Sequence, residues 1–451
     1  MPDLLAARAQ MAVSLAFHII FAEVGIAMPL MMVLAEWRWR RTSDAMYLEL
    51  AKRWAKGTAI LFAVGAVSGT VLSFELGLLW PRFMRDAGAI IGMPFSLEGF
   101  AFFTEAIFLG IYLYGWDRIS PRAHLGAGVL VAASGALSGI FVVIANAWMN
   151  APTGFRLRGG QLDDIDPLAA MANPAAFSQA LHMTIAAYAA TGLAVAGIHA
   201  ALLRRRRIGA DATLAHFHRC ALAVSLSVGA PAAILQPLSG DLSARFVARW
   251  QPVKLAAMEA QFETERGAPL RIGGWPDVAK QTTSWAIEVP GALSLLAFHN
   301  PAAEVLGLRA FPRSEWPPVR IVHDAFQVMV GLGTAMAAVG IWSVIVAAAR
   351  RRWSFGGDGM DRRLLLSLAV VTPFGFIATE AGWVVTEVGR QPWIIFGVLR
   401  TRDALTPMPG LVVSFVAVTA LYCLLGVAVI WLLWRQIGRT TPESGAQRLA
   451  K

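Results

Sequence analysis

Nine mostly apolar stretches recur along the chain, at roughly 11–35, 56–79, 96–115, 124–147, 178–202, 217–237, 321–349, 364–388 and 409–434. At 1.5 Å per residue, about 20 helical residues cross a hydrocarbon core of about 30 Å. The pattern predicts an all-α, polytopic transmembrane bundle of nine spans. Residues 1–237 hold helices one to six, 238–320 form the one long hydrophilic loop, and 321–451 hold helices seven to nine and a tail. A loop that long is more often functional than idle. No internal repeat of the inverted-repeat transporter kind is visible.

Basic residues alternate from loop to loop. Arg38, Arg40, Arg41, Lys52, Arg53 and Lys56 follow helix one; Arg118 and Arg122 follow helix three; Arg204 to Arg207 follow helix five. Arg350 to Arg352, Arg362 and Arg363 follow helix seven, and Arg435 and Arg439 follow helix nine. Positive charge marks the cytoplasmic side, so the N-terminus and the 238–320 loop are expected outside and the C-terminus in the cytoplasm.

Composition agrees with lipid as the solvent. The 451 residues are 57% hydrophobic and 15% charged, with mean hydropathy +0.56, against about 25% charged in an average soluble domain. The net charge of +10 sits in short clusters beside apolar segments, which read as topology signals and anionic-lipid contacts rather than a nucleic-acid surface. Two cysteines, Cys220 and Cys423, exclude a disulfide framework, a cysteine-rich iron–sulfur site and C-x-x-C-H haem attachment. The first apolar segment is too long for a signal-peptide core and carries His18 and Glu23, so it is expected to stay in the mature protein.

Ionisable or ligating residues inside a span are costly and therefore candidates for function. On the predicted topology His18, Glu98, Glu105, His182, Met329, Glu380 and Glu387, with Glu75 on helix two, lie toward the outer side. Independent snorkelling would scatter them over both faces. Each also has a plainer reading: a lone His or Met fills a core, and a Glu near a helix end snorkels. Glu98 and Glu105, two turns apart, share a helix face and suit a proton relay or a cation site as well as a haem pocket. His with Met suits a low-spin electron-transfer haem, whereas one His or carboxylate with an open position suits a haem that binds oxygen. The eight histidines do not supply two bis-His pairs on two helices, nor the dense set a haem–copper oxidase needs.

After Glu387, Gly389-Arg390-Gln391-Pro392-Trp393 is a helix stop or a place where Arg390 holds a haem propionate. In the long loop, Lys254-Leu-Ala-Ala-Met-Glu259 reads as a short amphipathic helix on the membrane surface, with Lys254 and Glu259 of suitable type for a quinol head group. Taken alone, Glu98, Glu105, Glu380 and Glu387 also suit a cation or proton transporter, and the chain could equally be a haem-anchoring subunit without oxidase activity.

The chain resembles subunit I of the cytochrome bd family of quinol oxidases over nearly its whole length. The resemblance rests on Phe-His18-Ile-Ile-Phe, Leu97-Glu98-Gly99, Glu105, Gly115-Trp116-Asp117-Arg118, Ala145-Asn146-Ala-Trp148-Met149, His182, Lys254-Leu-Ala-Ala-Met-Glu259, Met329, Glu380-Ala-Gly-Trp383 and Glu387-Val-Gly-Arg-Gln-Pro-Trp393. It implies a low-spin haem b between His182 and Met329, quinol near Lys254 and Glu259, and two high-spin haems with His18 and Glu387 as axial ligands. Those two are haem b and haem d, or haem b in both sites, and which residue ligates which stays open. Glu98 would stand close to the oxygen-binding iron, Trp383 beside the haems and Arg390 on a propionate. Glu105, Ser138 and Asn146 would line a proton route from the cytoplasm. The family further implies a bacterial cytoplasmic (inner) membrane, oxidation of ubiquinol or menaquinol outside, reduction of O2 to water with inner protons, and charge separation without pumping. A subunit II is the expected partner, with a small single-span accessory subunit as a further candidate. Two departures stand out: Gln327 where many relatives are expected to carry Arg two residues before the axial Met, and Glu23 five residues after His18. The loop places the chain in the short-loop group, some of whose members are described as cyanide-insensitive.

Overall fold

The computed structural model describes residues 1–205, 211–349 and 361–438. Arg206, Arg207, Arg350, Arg351, Arg352 and Arg439 of the basic clusters, and the tail beyond 438, lie outside the described residues. Among those described, nine helical spans are long and apolar enough to cross a membrane. We label the main helices α1 (Asp3–Thr42), α2 (Ala45–Leu79), α3 (Pro81–Tyr114), α4 (Pro121–Asn150), α5 (Ala176–Leu203), α6 (Ala212–Trp250), α7 (Pro252–Met258), α8 (Val319–Ala349), α9 (Arg362–Val370), α10 (Phe374–Val388) and α11 (Leu411–Gly438). The short α7 spans nothing, and α9 with α10 makes one interrupted span.

Caps explain the starts. Asp44, Ser120, Asp211 and Asp361 each accept a backbone N–H in the first turn of α2, α4, α6 and α9, satisfying donors that a helix start leaves free. Several helices outrun the hydrophobic stretches that announced them. The second starts at Ala45, not 56, and the third at Pro81, not 96. Charged residues there form ion pairs on the helix surface, Arg53 with Glu49 and Arg82 with Asp86, instead of ending the helix. The sixth runs on through Pro237 to Trp250, about 59 Å at 1.5 Å per residue, well beyond a hydrocarbon core. The segment between the sixth and seventh spans is therefore 251–318, and it has structure: α7, then a hairpin of β1 (Leu270–Asp277) and β2 (Thr282–Val289). The longer α3 also moves Glu98 from an outer helix end to mid-helix.

Small residues let the helices approach. A Cβ on Gly192 of α5 would stand 2.5 Å from the Gly229 Cα of α6, and one on Gly375 of α10 would stand 2.3 Å from the Ala190 Cα. Without a hydrophobic drive between helices in lipid, such backbone contact is what holds them. The outward faces stay apolar, with Phe100, Phe103 and Ile107 on α3 and Val413, Val427 and Trp434 on α11 exposed, as lipid or a partner helix requires.

The hairpin is docked by two side chains of α8. Gln327 accepts from the Gly273 N–H at 2.9 Å and donates to the Arg271 carbonyl at 2.9 Å. His323, fully buried, lies 2.8 Å from the Met258 carbonyl and 3.2 Å from that of Gly273, joining α7 to β1.

Gly192→Val would drive two methyls into the backbone of α6, an overpacking cost of about 1–3 kcal/mol or more. The detergent-solubilised variant should melt at a lower temperature than the parent; an unchanged melting temperature would show that this contact does not hold the bundle.

Candidate functional site

His182 and Met329 come from α5 and α8, which with α6 and α10 form one packed group. His182 Nδ1 lies 2.9 Å from Ser239 Oγ, and that hydroxyl donates to the Gln236 carbonyl at 2.9 Å. With its hydrogen so used, Ser239 accepts from Nδ1–H, which leaves Nε2 with a free lone pair. Gln236 Nε2 donates to the His182 carbonyl at 3.2 Å and stands 3.2 Å from each ring nitrogen of His182. Glycines lie against both candidate ligands: a Cβ on Gly240 would be 3.6 Å from His182 Cε1 and one on Gly382 3.1 Å from Met329 Sδ.

His18 repeats the wiring on other helices. Its Nδ1 is 3.0 Å from Ser68 Oγ, which donates to the Gly65 carbonyl at 3.0 Å. A Cβ on Gly69 would meet His18 Cε1 at 2.9 Å. In both cases a serine that bonds back to the carbonyl three residues earlier fixes the imidazole tautomer, the arrangement that metal-bound histidines use. Ser68, Ser239 and Gln236 were not singled out in the sequence; a serine in an apolar helix carries no signal until the fold sets it beside a histidine.

Glu387 is held from two sides, by Asn146 Nδ2 on Oε1 at 2.5 Å and by Arg390 Nη2 on Oε2 at 2.5 Å. Arg390 is 2% exposed, yet its Nε and Nη1 find no partner among the described residues. A buried guanidinium with two idle donors fits an anionic oxygen, such as a propionate, arriving from a bound group. Unprotonated Nε2 atoms, flanking glycines and this guanidinium together suit haem. Trp383 stands on α10 one turn before Glu387, half-buried.

The proposed proton residues follow one face of α4. Glu105 packs on Gly135, its Cδ 3.2 Å from where a Cβ there would be, with Oε1 unpartnered. Ser138, one turn on, donates to Glu98 at 3.2 Å. Asn146 reaches Glu387, and Asn150, one turn further, donates to the Asn146 carbonyl at 3.1 Å and to its Oδ1 at 3.2 Å. Spacings of three, eight and four residues keep all four positions on one stripe. Glu23 is buried and lies beside Thr379 and Glu380 of α10. Glu75 accepts from Gln10 at 2.8 Å.

The expectation of an amphipathic surface helix at 254–259 is overturned. Every residue from Val253 to Glu259 is buried, because α7 is roofed by the hairpin and 3-10 turns of the same loop and seated on α8 and α10. Lys254 donates to Asn150 Oδ1 at 2.8 Å and to the Thr386 carbonyl at 3.2 Å, so it joins the Glu387 network. Glu259, at the other end of α7, takes a backbone N–H from Arg271 instead. Burial, then Arg390, bring the Lys254 ammonium down to about 7 against the pull of Glu387. Burial pushes the Glu259 carboxyl up to about 8, Arg271 opposing. Both groups thus change protonation near neutrality, where proton transfer is most effective.

Gln327 points its amide at the hairpin backbone. It serves the loop, in a place where Arg was expected to serve a propionate.

A family model described as "Cytochrome bd terminal oxidase subunit I" matches residues 6–441. A Bacillus subtilis (strain 168) protein named for a cytochrome bd menaquinol oxidase subunit I is 38% identical, covering 96% of each chain. A second from the same organism, "Cytochrome bd ubiquinol oxidase subunit 1", is 30% identical over 97% of this chain and 94% of its own. Among solved structures, the bd oxidase from Geobacillus thermodenitrificans superposes with a TM-score of 0.88 at 38% identity, covering 97% of this chain and 99% of that one.

Glu259 gives a pH test. Its folded value of about 8 lies above the ordinary 4.5, so its contribution to stability is complete below about 4.5 and is lost as pH rises through 8. Lys254, folded value about 7 against 10.5, adds slope only above about 7. Between about pH 5 and 7 the melting temperature of Glu259→Gln should therefore fall less with rising pH than the parent's; parallel curves would contradict the buried carboxyl.

Proposed function

The chain belongs to the cytochrome bd terminal oxidase subunit I family, and on that premise we propose that it is the haem-bearing subunit of a quinol oxidase that works across the bacterial cytoplasmic membrane beside a subunit II. The observation that carries the assignment of ligands is the shared wiring of His18 and His182, each with Nδ1 on a serine, which leaves Nε2 as the unprotonated nitrogen. His182 and Met329 would hold a low-spin haem b, and His18 and Glu387 two high-spin haems, with Arg390 neutralising a propionate. When bound, the haems supply electron transfer and the binding of oxygen.

The protein's own residues supply the rest. Ser68 and Ser239 keep the imidazoles in the ligating tautomer and, by accepting Nδ1–H, raise ligand basicity. Lys254 and Glu259 border the quinol head group under the 251–318 segment, Glu259 taking a proton as the quinol is oxidised. Glu105, Ser138 and Glu98 carry protons along the polar stripe of α4 toward the oxygen side, with Asn146 fixing Glu387. Trp383 would stand beside the haems. With quinol deprotonated outside and oxygen protonated from the cytoplasm, charge is separated without a pump.

Visible spectra of the dithionite-reduced complex test the ligand set. His182→Ala and Met329→Leu should lose the low-spin signal and keep the high-spin ones, while His18→Ala and Glu387→Ala should do the reverse; a spectrum unchanged in all four variants would sink the assignment. Ser239→Ala should weaken low-spin haem retention about 10-fold or more, read as haem per polypeptide after detergent washing. Pyridine-haemochrome analysis would count the haems and separate b from d.

A further inference from the structure

Far from the haem ligands, the turn between α1 and α2 meets the first turns of α6. Asp44 caps α2 with Oδ1, which accepts from the Met46 N–H at 2.9 Å. Its other oxygen, Oδ2, lies 2.7 Å from His216 Nε2 and 3.9 Å from Cys220 Sγ, and those two atoms are 3.8 Å apart. His216 and Cys220 are one turn apart on α6 and converge on the single carboxylate oxygen that the cap does not use. Residue 216 is twenty residues from Gln236 along the same helix, about 30 Å at 1.5 Å per residue, so this cluster is separate from the redox site.

We propose that Asp44, His216 and Cys220 bind a divalent transition-metal cation of the zinc class. The donor set of nitrogen, sulfur and oxygen suits a borderline ion; calcium and magnesium would want oxygen alone. Tetrahedral bonds of about 2.0–2.3 Å set ligand atoms about 3.3–3.6 Å apart. The two edges to sulfur must close by a few tenths of an ångström and the His–Asp edge must open by slightly more. His216 has the freedom to move, its side chain being 50% exposed, against 26% for Asp44, and the open side admits water as fourth ligand. Cys220 is 3% exposed and anchors the site from within.

Binding exchanges protons and water for metal: the aquo cation gives up coordinated waters to solvent as M–S, M–N and M–O bonds form, and Cys220 releases its thiol proton to solvent. Tyr47, which hydrogen-bonds the thiol, and Arg38 border the cluster; a bound dication neutralises the thiolate and carboxylate together. The plainer alternative is a His216–Asp44 ion pair beside an inert thiol. An ion pair needs no sulfur, and the two readings differ in what Cys220→Ser does. The bound ion would clamp the α1–α2 turn, where Ser43 takes a left-handed conformation at φ 57°, to α6.

The test uses the purified two-subunit oxidase, stripped with EDTA, equilibrated with zinc chloride, desalted and assayed for zinc against haem iron by mass spectrometry. The parent should retain a further equivalent of zinc that Cys220→Ser and His216→Ala lose, with haem content unchanged. Equal zinc in parent and variants would overturn the site. Should either variant lose haem, Asp44→Asn, which keeps the cap and weakens the metal bond, takes its place. Cobalt added to the stripped, oxidised complex should give a near-ultraviolet thiolate-to-cobalt band that vanishes in Cys220→Ser and persists in Cys423→Ser; absence of the band in the parent, or its loss only in Cys423→Ser, would equally refute the proposal.

Discussion

A guanidinium buried at 2% exposure between membrane helices, Arg390, has to be paired, and much of the site follows from how it is. Its neighbour one turn back, Glu387, takes one nitrogen, and without it the buried guanidinium would lose its one carboxylate partner among the described residues. Glu387 in turn engages Asn146, Asn146 engages Asn150, and Asn150 receives both Lys254 and Gln251. Three elements, α4, α7 and α10, are thereby tied at one level. The loop segment that borders quinol in our reading and the helix that carries Glu387 share one polar network. Two nitrogens of Arg390 stay without a partner among the described residues, which is where an anionic group would complete the pairing.

The histidines show a second economy of design. Each stands on one helix while the serine that orients it stands on another, so the direction of Nε2 depends on helix packing rather than on either helix alone. Glycine-to-backbone contacts between α5 and α6 set that packing closely enough for Ser239 to reach His182. A displacement of even 1 Å would break the bond, since hydrogen bonds weaken quickly beyond about 3.2 Å. The glycines and the serines are thus parts of one arrangement, although only the latter touch the imidazoles.

The 251–318 segment illustrates how a departure from a family pattern finds a use. Where an arginine was expected to serve a propionate, Gln327 holds a carbonyl and an N–H of strand β1, those of Arg271 and Gly273. Its amide offers a donor and an acceptor side by side, which an arginine cannot. The hairpin roof that results is what buries α7, and burial is what brings Lys254 and Glu259 into the neutral range.

Apolar runs of membrane length determined the nine spans and the helical class, because lipid admits no other way to satisfy the backbone. The rarity of charge inside such runs singled out Glu98, Glu105 and Glu387, the motif that follows Glu387 singled out Arg390, and short motifs around His18, His182 and Met329 pointed to the family. Hydropathy misjudged the helix ends: charged turns at 45–56 and 81–96 and the polar end of α6 remain helical by pairing locally or by projecting beyond the membrane core. It also misread 254–259 as a surface helix, since four apolar residues between Lys254 and Glu259 look amphipathic until the chain folds back over them. Only the tertiary structure decided that Ser68 and Ser239 face the imidazoles, that Glu105, Glu98 and Glu387 line up on one face of α4, and that Asp44 meets His216 and Cys220. Those are contacts between residues far apart in the chain, set by helix approach and not by any local preference that a sequence displays.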